Sequence, residues 1–308
     1  MLNVKNILFP TDYSKCAAQA LEHALYLAKH CRAKLHIVHA TVLRQDDPRN
    51  SANHSSDSNE LRERLSKIVM EEIDPDLKIY IQGFNDEAIR MEELMGFSAA
   101  ELIVQYANTR NIDLIVMGTH GRRGLGYMFL GSIAQEVVRV APCPVYTVRE
   151  SVKPQSAKKK DVILSPVDFS DHSRAAISMA REAADMYGSK LELLHVIENK
   201  LYSAYNVFGE KTMLKLQQDI INQCRKKMRV TLDESTGPGV RAEFKIVTGH
   251  VVSEILEYAR CNSVDLIAIA THGVTGLKNF LLGGVAEKVI RRAPCPVLTI
   301  RSFGRSLI

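Results

Sequence analysis

Tryptophan is absent from this 308-residue chain, and aromatic residues make up only 6% of it. A nucleic-acid surface built on stacking aromatics has little material here, and a net charge of +5 lays down no broad basic stripe. The one dense basic run, KKK at 158–160 within RESVKPQSAKKKD, reads as a solvated linker. No apolar stretch approaches the ~20 residues that cross a bilayer, so no membrane partner is expected. The opening MLNVKNILFPTD lacks a basic n-region followed by a long apolar h-region, so it does not read as a signal peptide. Six cysteines (Cys16, Cys31, Cys143, Cys224, Cys261, Cys295) form no CxxC pair and no zinc-type spacing with histidine. Reduced thiols in a cytoplasmic protein without a structural metal are the expectation. Also missing are GxxxxGK[ST], HExxH and GxSxG, the local signatures of P-loop enzymes, zincins and α/β hydrolases.

What is present is written twice. VKNILFPTDYS at 4–14 returns as KDVILSPVDFS at 160–170, and KLHIVHA at 34–40 as KLELLHVI at 190–197. NIDLIVMGTHG returns as SVDLIAIATHG, and APCPVYTVR at 141–149 as APCPVLTIR at 293–301. The order is the same both times, so the chain is a tandem duplication. The expected domains are 1–150 and 161–308, joined by a Pro/Ser/Lys linker at 151–160. With 46% hydrophobic and 24% charged residues, each half has the profile of a globular domain with its own core.

Each half alternates short apolar runs with helical periodicity. In the first, VKNILF reads as a strand, SKCAAQALEHALYLAKH as a helix capped by Ser14, and KLHIVH as a strand. RQDDPRNSANHSSDS at 44–58 is polar and turn-rich. ELRERLSKIVMEEI reads as a helix, LKIYIQ as a strand, SAAELIVQYANTR as a helix and DLIVM as a strand. SIAQEVVRV then forms a helix stopped by Pro142, and PVYTV a fifth strand. Strands alternating with helices of this length give an α/β fold: two tandem doubly wound domains, each a parallel sheet flanked by helices. Aligning Gly83 with Gly249 leaves about fourteen surplus residues in the first half, FNDEAIRMEELMGF at 84–97. They read as an elongated crossover packed on its own domain, or as a short amphipathic lid or partner-binding helix.

In such sheets a ligand crevice opens at the carboxyl ends of the strands, where strand order reverses. Asp12 follows strand one, and the loop MGTHGRRGLGYMFLGS at 117–132 follows strand four. Its glycines leave room for a ligand to reach backbone N–H groups, and a helix start at Gly131-Ser132 offers unpaired donors to a phosphate. Ser132 is expected to cap that helix, with Arg122 and Arg123 as nearby cations. The combination points to a polyphosphate cradle, with Asp12 accepting a hydrogen bond from a nucleoside.

The pattern G-x2-G-x9-G-[ST], an early P-x-D after strand one and APCPV before the last strand together resemble the universal stress protein family over nearly the whole chain. The resemblance implies five strands in the order 3-2-1-4-5 in each domain and an ATP site, with magnesium as its counterion. It also implies pairing of domains through the fifth strands, PVYTV and PVLTI, within the chain, and leaves a homodimer of such chains open. On the adenosine side it implies Pro10, Asp12, Thr41 and Met117. On the phosphate and ribose side it implies Gly118, Gly121, Gly131, Ser132 and Ile133, with His120, Arg122 and Arg123 in the same loop. The second half keeps Pro166, Asp168, Gly273 and Gly283, with Ile269 and Val285 beside them, but has Ala270 for the first glycine, Gly284 for the serine and Val274 for Arg122. Its site is expected to be weaker or differently occupied.

His120 and His272, in the THG turns, are the best candidates for a catalytic group, yet neither has a carboxylate partner in sequence. His36, His39 and His195 lie on strands and read as packing residues. The leading expectation is an ATP-binding regulatory protein of stress physiology with no catalytic residue assigned. The alternatives are a slow ATPase or phosphotransferase using the same pocket, and a nucleotide-free adaptor.

Overall fold

The computed structural model describes residues 4–43, 63, 88–120, 130–151, 156–198, 210–272 and 282–301. The chain divides into two compact units between Lys159 and Lys160, and each is described by itself.

In the first unit the element order is β1 (Asn6–Thr11), α1 (Lys15–Cys31), β2 (Lys34–Val42), β3 (Ile89–Gly96), α2 (Ala99–Thr109), β4 (Leu114–Gly118), α3 (Ser132–Val140) and β5 (Val145–Val148). The strands lie in the order β3-β2-β1-β4-β5, all neighbours parallel. In the second unit β6 (Val162–Pro166), α4 (Asp171–Tyr187), β7 (Lys190–Ile197), α5 (Glu210–Glu234), β8 (Ala242–Thr248), α6 (Val251–Cys261), β9 (Leu266–Ala270), α7 (Gly284–Arg292) and β10 (Val297–Ile300) repeat the plan. Their sheet runs β8-β7-β6-β9-β10, again parallel throughout. The doubly wound α/β fold expected from the sequence is therefore observed in both halves.

Central strands in such a sheet are covered on both faces, which is why they read as unbroken apolar runs rather than alternating ones. Ile7, Leu8 and Phe9 on β1 and Ile163 and Leu164 on β6 are wholly buried. Each such side chain contributes roughly 1.5–3 kcal/mol of burial. Helix α1 presents Ala17, Ala20, Leu21, Ala24, Leu25 and Ala28 to the core, the spacing of a helical face. The Ser14 hydroxyl accepts from the Ala17 N–H and caps α1 as expected, and Ser170 does the same for α4 through the Ser173 N–H. Helix α3 ends at Val140, and Ala141, just before Pro142, is extended.

One aspartate in each half ties the sheet together. Asp113 Oδ2, just before β4, accepts the backbone N–H groups of Lys5 and Asn6 at the start of β1, at 2.8 and 2.9 Å. Asp265 Oδ2 does the same for Asp161 and Val162, at 2.8 and 3.1 Å. The aspartate of the repeated D-L-I motif is thus a strand anchor.

The third strand corrects the sequence reading. Residues 89–96, taken as surplus crossover or lid, form the edge strand β3, with Leu35 opposite Ile89 and Val42 opposite Gly96. In the second half Leu191 stands opposite Ala242. The strand register therefore matches Gly96, not Gly83, to Gly249, and the surplus residues fall ahead of β3. The expected helix at 60–73 (Glu63 apart, which is helical) and the LKIYIQ strand lie outside the described residues.

Candidate functional site

The crevice begins where two strands part. β1 pairs with β4 only at Ile7–Leu114 and Leu8–Ile115, although β1 runs on to Thr11 and β4 to Gly118. β6 and β9 part at the equivalent point, after Leu164–Ile267. Pro10 and Pro166 sit in the splayed stretches, where a residue with no N–H forfeits no ladder bond. The parting lies at the switch point of strand order, between the crossovers that run left and right.

Asp12 stands at the end of β1, but its carboxylate has a structural task. Its Oδ1 accepts the Ser14 N–H at 3.0 Å, and Asp168 Oδ1 accepts the Ser170 N–H and hydroxyl at 3.0 and 2.5 Å. Between aspartate and serine, Tyr13 (φ 62°) and Phe169 (φ 64°) are left-handed, a conformation that costs a bulky residue about 1–2 kcal/mol. Both are held from the neighbouring strand. His39 Nδ1 bonds the Thr11 carbonyl at 2.8 Å and its ring packs tilted against Tyr13, centroids 4.6 Å apart. His195 bonds the Val167 carbonyl at 2.8 Å and packs tilted against Phe169 at 4.4 Å. These two histidines, read as packing residues, hold the aspartate turn. The signal was available in the sequence, because H-A and H-V occupy the same place in the two repeats.

Gly118 is closely packed against α1. A Cβ there would lie 2.9 Å from Cys16 Sγ and 3.2 Å from the Cys16 carbonyl carbon, against the first turn of α1. Ala270 occupies the equivalent place in the second half, where His172 replaces Cys16. Gly131 is also structural. Its N–H donates to the Thr119 carbonyl at 2.7 Å, and a Cβ would stand 3.0 Å from that oxygen. Gly283 makes the same clasp with Thr271, at 2.8 Å. The last glycine of the spacing pattern therefore closes the loop in both halves.

Because Gly131 takes the N-cap, Ser132 does not cap α3 as expected. It is the first helical residue, exposed, and among the described residues no side chain caps the helix. Ile133 is also exposed and the buried face starts at Ala134. Helix α7 begins likewise, with Gly283 as N-cap and Gly284 and Val285 exposed. Each start leaves its first-turn N–H groups and positive dipole end for an anion. Met117 and Ile269, the penultimate residues of β4 and β9, are buried.

His120 lies beside the α3 clasp. Its Nδ1 is paired with Thr119 Oγ1 at 2.8 Å, while Nε2 is buried with no hydrogen-bond partner among the described residues. Burial first, then the nearby Arg149 cation, holds its pKa below the ordinary histidine range. An orphaned imidazole nitrogen is costly unless a ligand atom satisfies it, so this edge of the crevice suits a polar ligand beside the helix start. His272 repeats the bond to its own threonine, Thr271, at 3.0 Å. Gly121, Arg122, Arg123 and Gly273 lie outside the described residues.

Thr41 is on β2, and its hydroxyl donates to Glu93 Oε1 at 2.6 Å. Glu93, from β3, went unnoticed in the sequence because residues 84–97 were not read as a strand. In the second half the registers place Ile197 and Ile246 at these two positions.

The family model for the universal stress proteins matches this chain twice, over residues 3–149 and 160–301. The chain belongs to the universal stress protein family. A universal stress protein of Methanocaldococcus jannaschii is 32% identical over 140 residues, 45% of this chain and 81% of that protein. Among solved structures, a universal stress protein of Archaeoglobus fulgidus aligns with 96% of this chain and 98% of its own, at a TM-score of 0.62 and 20% identity. At that identity the likeness concerns the fold. Another member was solved in complex with cAMP, with 21% identity over 46% of this chain and 97% of its own length, at a TM-score of 0.31. No helix among the described residues of this universal stress protein is long and apolar enough to cross a membrane.

Proposed function

We propose that this universal stress protein is a cytoplasmic nucleotide-binding regulator, taking ATP with magnesium chiefly in its first half. The observation that carries the reading is the meeting of an orphaned His120 Nε2 with the uncapped start of α3 at the parted ends of β1 and β4. Phosphates lie against α3 near Gly131, Ser132 and Ile133, with Gly121, Arg122 and Arg123 contributed by the loop. The nucleoside extends past Pro10, Asp12 and Met117 towards Thr41. In the second half Pro166, Asp168, Ile269, Ala270, Gly273, Gly283, Gly284 and Val285 form the corresponding crevice. There the serine hydroxyl and the first arginine are missing, and affinity falls accordingly.

The test places a carboxylate where the phosphate would lie. Aspartate suits the first turn of a helix, so Ser132→Asp leaves the fold intact while repelling the anion. Gly284→Asp is its match, since a Cβ at Gly284 meets nothing within 4 Å. Calorimetry with magnesium and ATP on nucleotide-stripped protein is expected to give one site per chain. Ser132→Asp weakens it by roughly thirtyfold or more and Gly284→Asp leaves it unchanged. Unchanged binding in Ser132→Asp, or two equal sites, overturns the reading. Phosphate release accompanying the binding would favour the slow ATPase.

A further inference from the structure

The Thr41–Glu93 pair has no equivalent in the second half, where two isoleucines stand in its place. The fold therefore does not require it, and a half-buried carboxylate in the first half calls for another reason. Glu93 stands opposite His39 in the ladder, while Thr41 stands opposite Met95, one pleat nearer the carboxyl ends of the strands. The glutamate side chain thus reaches up along the sheet to its 2.6 Å bond with Thr41, which places its carboxylate near the carboxyl ends of β2 and β3. Thr41 supplies one donor to one oxygen. A carboxylate has about four acceptor positions, and among the described residues no cation pairs with this one.

Strand spacing selects the part of a ligand that meets it. The helix start that suits a phosphate follows β4, and β3 lies three strands away across β1 and β2. At ~4.8 Å per strand this is about 14 Å, beyond the ribose of a nucleotide whose phosphates lie at α3, and within reach of its base. Resting on the nucleotide reading above, we infer that Glu93, oriented by Thr41, is a specificity-determining residue that accepts a hydrogen bond from the C6 amino group of an adenine nucleotide. An ionised carboxylate only accepts, so it favours a base edge that donates and opposes one that presents a carbonyl oxygen.

The experiment compares ATP with ITP, which carries a carbonyl oxygen at C6, on the full chain by calorimetry. Wild type is expected to bind ATP roughly tenfold or more tightly than ITP, the scale of a charged hydrogen bond made or lost. Glu93→Gln has an amide that donates as well as accepts, so it is expected to gain ITP affinity and shrink the ratio to within about threefold. Glu93→Ile, the residue at that place in the second half, is expected to lose ATP affinity and with it the discrimination. Equal binding of both nucleotides by wild type, or the full preference surviving in Glu93→Gln, overturns the assignment while leaving the nucleotide site standing. Failure of wild type to bind either nucleotide overturns the site itself, and this role with it.

Discussion

The two halves share a frame and differ in its contents. Shared are the aspartate turn with its left-handed aromatic, the histidine that holds it, the Asp113 and Asp265 anchors, and the glycine clasps at the loop ends. Different are Thr41 and Glu93 against Ile197 and Ile246, His36 against Glu192, Cys16 with Gly118 against His172 with Ala270, and Ser132 against Gly284. A residue kept in both halves and bonded the same way serves the fold, whatever else it does. By that standard the retained Asp168 and Gly283 are by themselves no evidence for a second ligand, and the half-specific residues are where the two halves are expected to differ in chemistry.

The contrast is sharpest at buried position 36. His36 is 4% exposed, with Nδ1 on the Tyr106 hydroxyl at 3.0 Å. Burial above all, with Lys34, Arg90 and Arg110 nearby and only Glu92 opposing, pulls its pKa down to about 4. Glu192 replaces it in the second half, taking a 3.0 Å bond from Tyr258 and a 2.6 Å ion pair from Lys190. A histidine whose folded pKa lies below its unfolded value stabilises fully above pH ~6.5 and loses that contribution as pH falls towards 4. Across that range the loss is on the order of 2–3 kcal/mol and falls in the first half, where His36 lies. Hydrogen exchange on the full chain at pH 7 and pH 4.5 should show protection falling in β1 and β2 before β6 and β7. Equal losses in both halves would remove the distinction.

Gly118→Ala tests the packing difference. The added Cβ meets Cys16 backbone, so the first half should lose about 2 kcal/mol in urea unfolding. Ala270→Gly should cost only the modest penalty of a glycine. The smallest effect belongs to a shared feature. Ser14→Ala and Ser170→Ala should each cost about 1 kcal/mol, and markedly unequal values would break the claim that the frame is the same.

The strand order, helix faces and serine caps were legible because they follow from apolar periodicity and short-range hydrogen bonding. β3 was not, since it is an edge strand: in IRMEELMG only Ile89 is buried, and the charges that protect an edge imitate an amphipathic helix. The crevice was legible as a place, since it follows from the switch in strand order, but the contacts of its residues were not. Ser132 looked like a cap by residue preference, but the need to approach the Thr119 carbonyl gives that position to glycine. Gly118 looked like ligand room, but the atom it makes way for belongs to Cys16. The Gly118–Cys16 approach joins residues more than a hundred positions apart, and no local pattern contains it.

The Asp113 anchor also sets a timetable for synthesis. β1 is emitted first yet becomes an interior strand, and one of its flanks stays open until Asp113 and β4 arrive 108 residues after Lys5. At ~5–20 residues per second a ribosome leaves that apolar strand half-paired for several seconds. β6 then waits again for Asp265, 104 residues after Asp161. Each emerging copy is therefore exposed to chaperones, and to pairing with the wrong neighbour, for almost as long as it takes to translate.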